Sequence, residues 1–309
     1  MANGEVVTNN GKNWLLNRAY KGTSDYDEVY YMKVGIGLTT PVVTDTGMEI
    51  PIPITAGTVN DDGDNIFTGS DGGDNSTDNV VRYKPGAGVV DVTAQNLIKN
   101  DTNATAIWTI ADLSSAGTVI TGTKYVALWF YVLDAAALAK FVSSGTCLEI
   151  KLGSDSSNYY SITKEASDLV VGWNWVYSFP DTVADLTETG TVTGSIDTFI
   201  IEVTTNNATD EFTAATDATA DIVYDLLRTY EDSDLLKTLE SGFPSFNTTD
   251  KTVTTRIKIA VTQANGFDIS EVGVFTKDTV NIMITHDVFT AESKGSGDEF
   301  AFNITDKIV

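Results

Sequence analysis

The densest group of carboxylates in this 309-residue chain lies between positions 59 and 80, in VNDDGDNIFTGSDGGDNSTDNV, which holds six aspartates and no basic residue. Calcium takes about six to eight oxygen ligands and often draws them from loops rich in Asp, Asn and Gly. Asp61, Asp62 and Asp64 are the most closely spaced acids here and are candidate calcium ligands. The stretch lacks the closing glutamate of an EF-hand, so a solvated loop without metal is the favoured alternative.

Asp225 is a further candidate calcium ligand, because it interrupts the apolar run IVYDLL. A charged side chain inside an apolar strand needs a partner when it is buried. Strand alternation offers an alternative, in which Val223, Asp225 and Leu227 share one face. If that face meets solvent, Asp225 needs no ion. Structural calcium is the only cofactor that these residues suggest.

Aromatic side chains suggest a second chemistry, since the apolar face of a sugar ring stacks on an aromatic ring. Trp173 and Trp175 are two positions apart, so in a strand they point to the same side, whereas Tyr159 and Tyr160 point to opposite sides. All four are candidate glycan contacts, and the polar tip of GSDSSNYY favours a presented loop before the tyrosine pair. The core of a β-sandwich is nevertheless the more usual place for tryptophan.

Residues for catalysis are sparse. The single histidine, His286, is next to Asp287, and neighbouring residues of a strand face apart. No cysteine or serine motif accompanies them, and the glycine-rich part of the Asp-rich stretch has no lysine for phosphate binding. A glycosidase needs two carboxylates across a sugar, and no pair stands out among 43 acids. We therefore expect a protein that is not an enzyme.

The charge balance restricts the partners. Lysine and arginine total 19 against 43 acids, for a formal net charge of −24. Such a surface repels phosphate groups, so we expect no nucleic-acid partner and no anionic membrane partner. Cys147 is the only cysteine, so no intrachain disulfide can form. We see no apolar run of about 18 residues and no signal-peptide pattern, which predicts a protein that stays in the cytoplasm where it is made.

The elements that position these residues are short runs of β-branched and aromatic residues between Gly, Asn, Asp, Ser and Thr, which predicts a mainly β protein. Helical periodicity is confined to 12–20, 135–142 and 235–241. In the middle of the chain, strands are predicted at 124–133, 147–154, 158–164, 173–179, 197–205 and 220–230.

Two breaks in composition divide the chain. Residues 81–234 have the size of one antiparallel β-sandwich, and 59–80 form an Asp-rich linker loop before it. Residues 1–58 and 235–309 are each small for an independent core. We predict that they pair into one discontinuous β-sandwich domain, with the middle domain inserted between its strands.

Both ends of the chain resemble a broad group of bacteriophage tail, baseplate and fibre-associated proteins. The resemblance rests on VVTNNGKNWLLNRAYKG at the start and, more closely, on 34–41, 269–275 and 287–304. It implies a virion structural protein of the tail, baseplate, neck or fibre apparatus, which is assembled in the cytoplasm of the host bacterium. Its partners would be other virion proteins and further copies of itself. The expected docking and assembly residues are Trp14, Leu15, Val34, Ile269, Val272 and Phe275.

The middle of the chain resembles a jelly roll of the carbohydrate-binding type, in the order YVALWFYV, LEIKLGSDSSNYYSIT, VVGWNWVYSF, GSIDTFIIEVTT and IVYDLLRTY. This resemblance implies contact with host surface polysaccharide, and a structural calcium held in part by Asp225. A stand-alone carbohydrate-binding or adhesin-like module is the alternative function. A glycan-degrading tailspike is a weaker one, since no internal repeat is found.

Overall fold

The computed structural model describes residues 6–16, 27–84, 92–111, 113, 124–178, 187–192, 196–278 and 281–307. The protein is mainly β with several antiparallel sheets, as predicted. None of the helices among the described residues is long and apolar enough to cross a membrane. By contacts within the fold, the chain divides into two compact units. We call Met1–Ala56 with Ser233–Val309 the terminal unit, and Gly57–Asp232 the middle unit.

The elements of the described residues run in chain order as β1 (Val6–Val7), α1 (Asn9–Leu16), β2 (Val29–Gly35), β3 (Thr58–Asp61), β4 (Thr68–Ser70), β5 (Thr77–Asn79), β6 (Ala94–Asn96), β7 (Thr105–Ile110), β8 (Lys124–Val132), α2 (Ala135–Leu138), β9 (Thr146–Asp155), β10 (Asn158–Glu165), β11 (Gly172–Tyr177), β12 (Thr187–Thr189), β13 (Thr198–Thr204), β14 (Ile222–Glu231), α3 (Asp232–Leu235), β15 (Lys237–Thr238), β16 (Ser245–Asn247), β17 (Thr252–Ile259), β18 (Asp268–Thr276), β19 (Met283–Ser293) and β20 (Phe300–Lys307).

The helices differ in extent from those predicted. Helix α1 begins earlier than expected, and residues 17–20 of the predicted helix lie outside the described residues. Helix α2 begins where the Asp134 carboxylate accepts the amides of Ala136 and Ala137, and it is a single turn. The prediction of a helix over 235–241 is wrong, because α3 ends at Leu235 and β15 follows.

Strands from both ends of the chain meet in one sheet of the terminal unit, which confirms that part of the prediction. The sheet has the order β1-β19-β18-β2-β15. Strands β2 and β18 are antiparallel, with Val34 opposite Val272 across more than two hundred residues of sequence. A second, three-stranded sheet has the order β16-β17-β20. The pairing of β2 with β18 therefore joins the two ends of the chain in one sheet of the terminal unit.

A buried glutamate ties a long connection to this sheet. Glu271 lies on β18 and is fully buried. Its carboxylate accepts the amide of Glu49 at 2.6 Å and the amides of Gly37 and Ile50 at 3.2 Å each. The same carboxylate lies 2.8 Å from His286. Because charge-assisted bonds to several amides satisfy a buried carboxylate, Glu271 holds the segment after β2 against the sheet.

Four of the six expected docking residues lie inside the terminal unit rather than on its surface. Val34 and Ile269 are fully buried, and Val272 and Phe275 are 2 and 3% exposed. They occupy β2 and β18, which have neighbouring strands on both sides, so they hold the unit together and offer no surface to another subunit. On α1, the Nε1 atom of Trp14 donates to the carbonyl of Asp27 at 2.8 Å. Leu15 is 43% exposed.

The middle unit is built from two antiparallel sheets that share one apolar core. One sheet has the order β12-β10-β9-β13-β7-β4, and the other runs β11-β8-β14-β6-β5, with β3 paired to β14. Trp108, Phe199, Phe130 and Tyr224 come from both sheets and are fully buried in this core. Cys147 is buried in the same cluster. Burial of these large side chains supplies the main stabilisation of the unit.

The Asp-rich stretch predicted to be a linker loop instead contributes three short strands to the middle unit. Strand β3 pairs with β14 and β5 with β6 in one sheet, and β4 pairs with β7 in the other. Phe67 in this stretch is fully buried in the core between the sheets. The stretch is therefore part of the sandwich, and two of its aspartates, Asp61 and Asp78, lie in strands.

Candidate functional site

Aromatic side chains line the outer face of the middle unit on β8 and β11. In these paired strands Trp175 lies opposite Trp129, and Trp173 lies opposite Tyr131. The alternate residues Phe130 and Val176 point into the core between the sheets. Because successive residues of a strand face opposite ways, the four rings face away from that core.

We name Trp129, Tyr131, Trp173, Trp175 and Tyr177 the aromatic row. The ring centres lie 4.9 Å apart for Trp129 and Trp175, 5.2 Å apart for Tyr131 and Trp173, and 6.5 Å apart for Trp175 and Tyr177. Trp129 is 7% exposed, whereas the other four rings are half-buried. The row therefore presents aromatic surface along an edge strand of the sheet.

This placement differs from the sandwich core, which is the more usual position expected for Trp173 and Trp175. Spacing alone places both rings on one face but does not say which face is inward. Val176, a β-branched residue of the same strand, is 1% exposed and takes the inward position. The tryptophans consequently point away from the core between the two sheets.

Three cationic groups lie over the aromatic row. The Lys84 ammonium is 4.3 Å from the ring centre of Trp129, the Arg82 guanidinium 4.8 Å from Tyr131, and the Lys164 ammonium 5.3 Å from Tyr177. Such contacts keep the flat side chains ordered and add hydrogen-bond donors beside them. Sequence reasoning missed all three, because Arg82 and Lys84 come from a segment far from the row in sequence, and Lys164 comes from a strand of the other sheet.

Tyr159 and Tyr160 are not in the aromatic row, because they lie on β10 of the other sheet, the strand that also carries Lys164. Tyr160 packs partly against the core. Tyr159 is half-buried, with the Lys151 ammonium 5.2 Å from its ring centre. The structure thus separates the four aromatic residues predicted to contact glycan into two pairs on different sheets.

The acidic candidates, by contrast, come together at one place. Oxygen atoms of Asp61, Asp62 and Asp64 all lie within 4.8 Å of one another. Gly63 between them adopts a left-handed backbone with φ of +92°, and a Cβ atom there would lie 2.9 Å from the Oδ1 atom of Asp225. The backbone of Gly63 thus lies close to the Asp225 carboxylate, and we name Asp61, Asp62 and Asp64 the aspartate cluster.

A bulge in β14 buries Asp225. The pairing register with β8 shifts between Asp225 and Arg228, and Leu226 there has a φ of +57°. The alternation that would place Leu227 on the face of Asp225 is broken, because Leu227 turns into the core. Asp225 is 1% exposed, and its Oδ2 atom accepts the amide of Lys84. The alternative in which Asp225 lies on a solvated strand face is therefore wrong.

The aspartate cluster has unusual electrostatics. Burial raises the pKa of Asp61 to about 7, with Asp62 and Asp64 adding to the shift and the Gly63 amide and Asn65 side chain opposing it. Burial, followed by the charges of Asp61 and Asp225, also raises the pKa of Tyr224. Asp61 is buried, Asp62 half-buried and Asp64 exposed, so the unfavourable charge of Asp61 is relieved either by a proton or by a cation. An all-oxygen set of this kind fits the ligand chemistry of calcium.

No protein-family model matches this sequence, and comparison with curated proteins finds no match. Function is therefore argued from the chemistry of the sites.

Proposed function

We propose that this protein is a structural component of a bacteriophage virion, in the tail, baseplate, neck or fibre apparatus, and that its middle unit binds glycan on the host surface through the aromatic row. We further infer that the middle unit is a jelly roll of the carbohydrate-binding type, and that the terminal unit is the discontinuous β-sandwich that docks onto other virion proteins. Repeated copies of the chain would strengthen weak individual contacts through avidity.

The observation that carries the glycan proposal is the outward, half-buried position of Trp173, Trp175 and Tyr177 on β11. Half-buried rings in a row offer flat apolar surface on which a sugar ring stacks. Lys164 over Tyr177 supplies a donor for sugar hydroxyls at the end of the row. A net charge of −24 makes nucleic acid the less suitable polymer for this face.

The virion assignment rests on the resemblance of the chain ends to phage proteins. The pairing of β2 with β18 supports a unit built from both ends, which is the arrangement expected for a docking domain that carries an inserted domain. A stand-alone carbohydrate-binding or adhesin-like module remains the alternative, since it would use the same aromatic row.

Glycan binding is tested with the full chain against host cell-surface polysaccharides on an array, followed by calorimetry on the best ligand. The double variant Trp173→Ala, Trp175→Ala should lose about fivefold or more in affinity, since each stacked ring contributes about 0.5 to 1.5 kcal/mol. The control variant Tyr159→Ala, a half-buried aromatic of the other sheet, should bind within about twofold of the parent. Equal affinity of the folded double variant and the parent would remove the aromatic row from the proposal.

The virion assignment needs a separate experiment. Antibody labelling and electron microscopy of intact particles should place the chain at a symmetric position. If the purified chain is a monomer with glycan affinity and is absent from particles, the stand-alone module is the correct function.

A further inference from the structure

A second site lies in the terminal unit, in a cleft of about 810 Å³ between β19 and β20. Alternation along β19 places Thr285, Asp287 and Phe289 on one face. The Oγ1 atom of Thr285 donates to Asp306 of β20 at 3.2 Å, so this face is turned toward β20. Phe302 of β20 lies opposite, with its ring centre 5.7 Å from that of Phe289.

The chemical feature of this cleft is a buried carboxylate. Asp287 lines the cleft and is 7% exposed, and its Oδ1 atom has no hydrogen-bond partner among the described residues. A buried charge without a partner is costly, and the cost is removed when a cation binds. Burial raises the pKa of Asp287, against the opposing influence of the Val288 amide and His286.

The basic side chains around the cleft are engaged with other groups. Lys258 pairs with Glu299 at 2.7 Å. Lys294 has its ammonium 6.0 Å from the ring centre of Phe300, and it donates to Asn265 at 2.8 Å. Phe289, Phe300 and Phe302 are half-buried and line the cleft together with the exposed Glu292.

These groups select the class of ligand. A divalent metal needs several oxygen ligands, whereas this cleft offers one buried carboxylate beside three phenyl rings. A carboxylate with aromatic rings suits a monovalent organic cation, which gains an ion pair and a cation–π contact in one place. We propose that this cleft, which we name the acidic cleft, receives a lysine or arginine side chain of a partner protein. The proposal goes beyond glycan binding and does not depend on the aromatic row.

The test titrates the full chain with the methylamides of N-acetyl-lysine, N-acetyl-arginine and N-acetyl-norleucine, followed by ligand-observed NMR. The two cationic probes should bind and the neutral norleucine probe should not, and the tighter cationic probe identifies the side chain. Asp287→Asn, which keeps the size of the side chain, should weaken cationic binding about tenfold or more. Glu211→Gln makes the same change of charge on an exposed residue of the middle unit and should leave binding within about twofold.

A second variant guards against a folding defect. Phe302→Leu keeps an apolar side chain but removes one ring, and it should weaken cationic binding by about threefold. Unchanged binding in Asp287→Asn, equal binding of the norleucine probe, or no binding of either cationic probe would overturn the proposal. If sedimentation equilibrium detects a dimer of the parent and a monomer of Asp287→Asn, the cleft binds a second copy of this chain. That result would overturn the proposal of a separate partner protein.

Discussion

The Nε2 atom of His286 lies 2.8 Å from the Oε1 atom of Glu271, and both side chains are buried. The Nδ1 atom of the same ring lies 2.9 Å from Asp45. Both ring nitrogens are thus engaged by carboxylates from different segments, so the imidazole bridges the connection after β2 to the β18–β19 pair. A histidine held in this way acts as a structural tie within the terminal unit.

We predict that this tie makes the terminal unit less stable at alkaline pH. Burial acts to lower the pKa of His286, but hydrogen bonds and charges of Glu271 and Asp45 outweigh it, so the pKa is raised. The resulting stabilisation is complete below the unfolded pKa of about 6.5 and is lost as the pH rises through the folded value. Urea unfolding followed between about pH 6 and pH 9 should show this decrease. His286→Gln should remove most of this dependence of stability on pH. An unaltered decrease in that variant would show that His286 is not the group responsible.

Glu271→Ala should destabilise the terminal unit by roughly 3 to 5 kcal/mol, because it leaves three amides and an imidazolium without their buried acceptor. The measurement is the urea midpoint, which should shift without a change of slope. Glu292→Ala on the neighbouring strand β19 is the matched control, and this exposed residue should change stability by about 0.5 kcal/mol or less. Similar losses in the two variants would mean that Glu271 is not the anchor of the connection.

The aspartate cluster predicts a stability that depends on both pH and calcium. The folded pKa of Asp61 is about 7 and its ordinary value is 3.8, so the middle unit should lose stability as the pH rises between these values. Above pH 7, with a chelator in the buffer, the loss of unfolding free energy is complete and is on the order of 4 kcal/mol. Under those conditions Asp61→Asn should raise the melting temperature. Calcium should raise the melting temperature of the parent but not of this variant, and identical melting with calcium and with chelator would mean that no ion binds.

The Gly63→Ala variant tests how closely the backbone at Gly63 approaches Asp225. An alanine at a φ of +92° is strained, and its Cβ would also lie 2.9 Å both from the Asp225 carboxylate and from the Thr93 carbonyl oxygen. Gly145→Ala is the matched control, because Gly145 has a φ of +79° with nothing within 4 Å of the added atom. Both variants should lose about 1 kcal/mol from backbone strain, and Gly63→Ala should lose about 1 to 2 kcal/mol more by thermal melting. Equal losses would show that the loop and Asp225 do not touch.

The mainly β fold and the pairing of the two chain ends could be predicted, because runs of β-branched and aromatic residues mark strands such as β2 and β18, and each end is small for an independent core. Strands β3, β4 and β5 could not, since TVND, TGS and TDN carry almost no apolar pattern and depend on their neighbours for pairing. Local composition marks a polar stretch as loop even where the tertiary structure makes it a strand.

The sites were predictable to different degrees. The same-side placement of Trp173 and Trp175 follows from their spacing, but their outward direction depends on which residues fill the core. The approach of Asp225 to Gly63 depends on the bulge at Leu226, and no sequence signal marks this bulge, because leucine rarely adopts a positive φ. The burial of Glu271 could not be predicted either, because a single acidic residue in a strand sequence does not indicate whether its side chain is solvated or buried.

The pairing of β2 with β18 has a consequence for synthesis on the ribosome. Strand β2 is made early, but its partner is not made until the whole of Gly57–Asp232 has been translated. The middle unit has all of its own strands by then and can fold first, as domains generally do during translation. The nascent terminal unit must keep β2 unpaired through that interval, so a pause in elongation before Asp268 would prolong the exposure of an apolar strand.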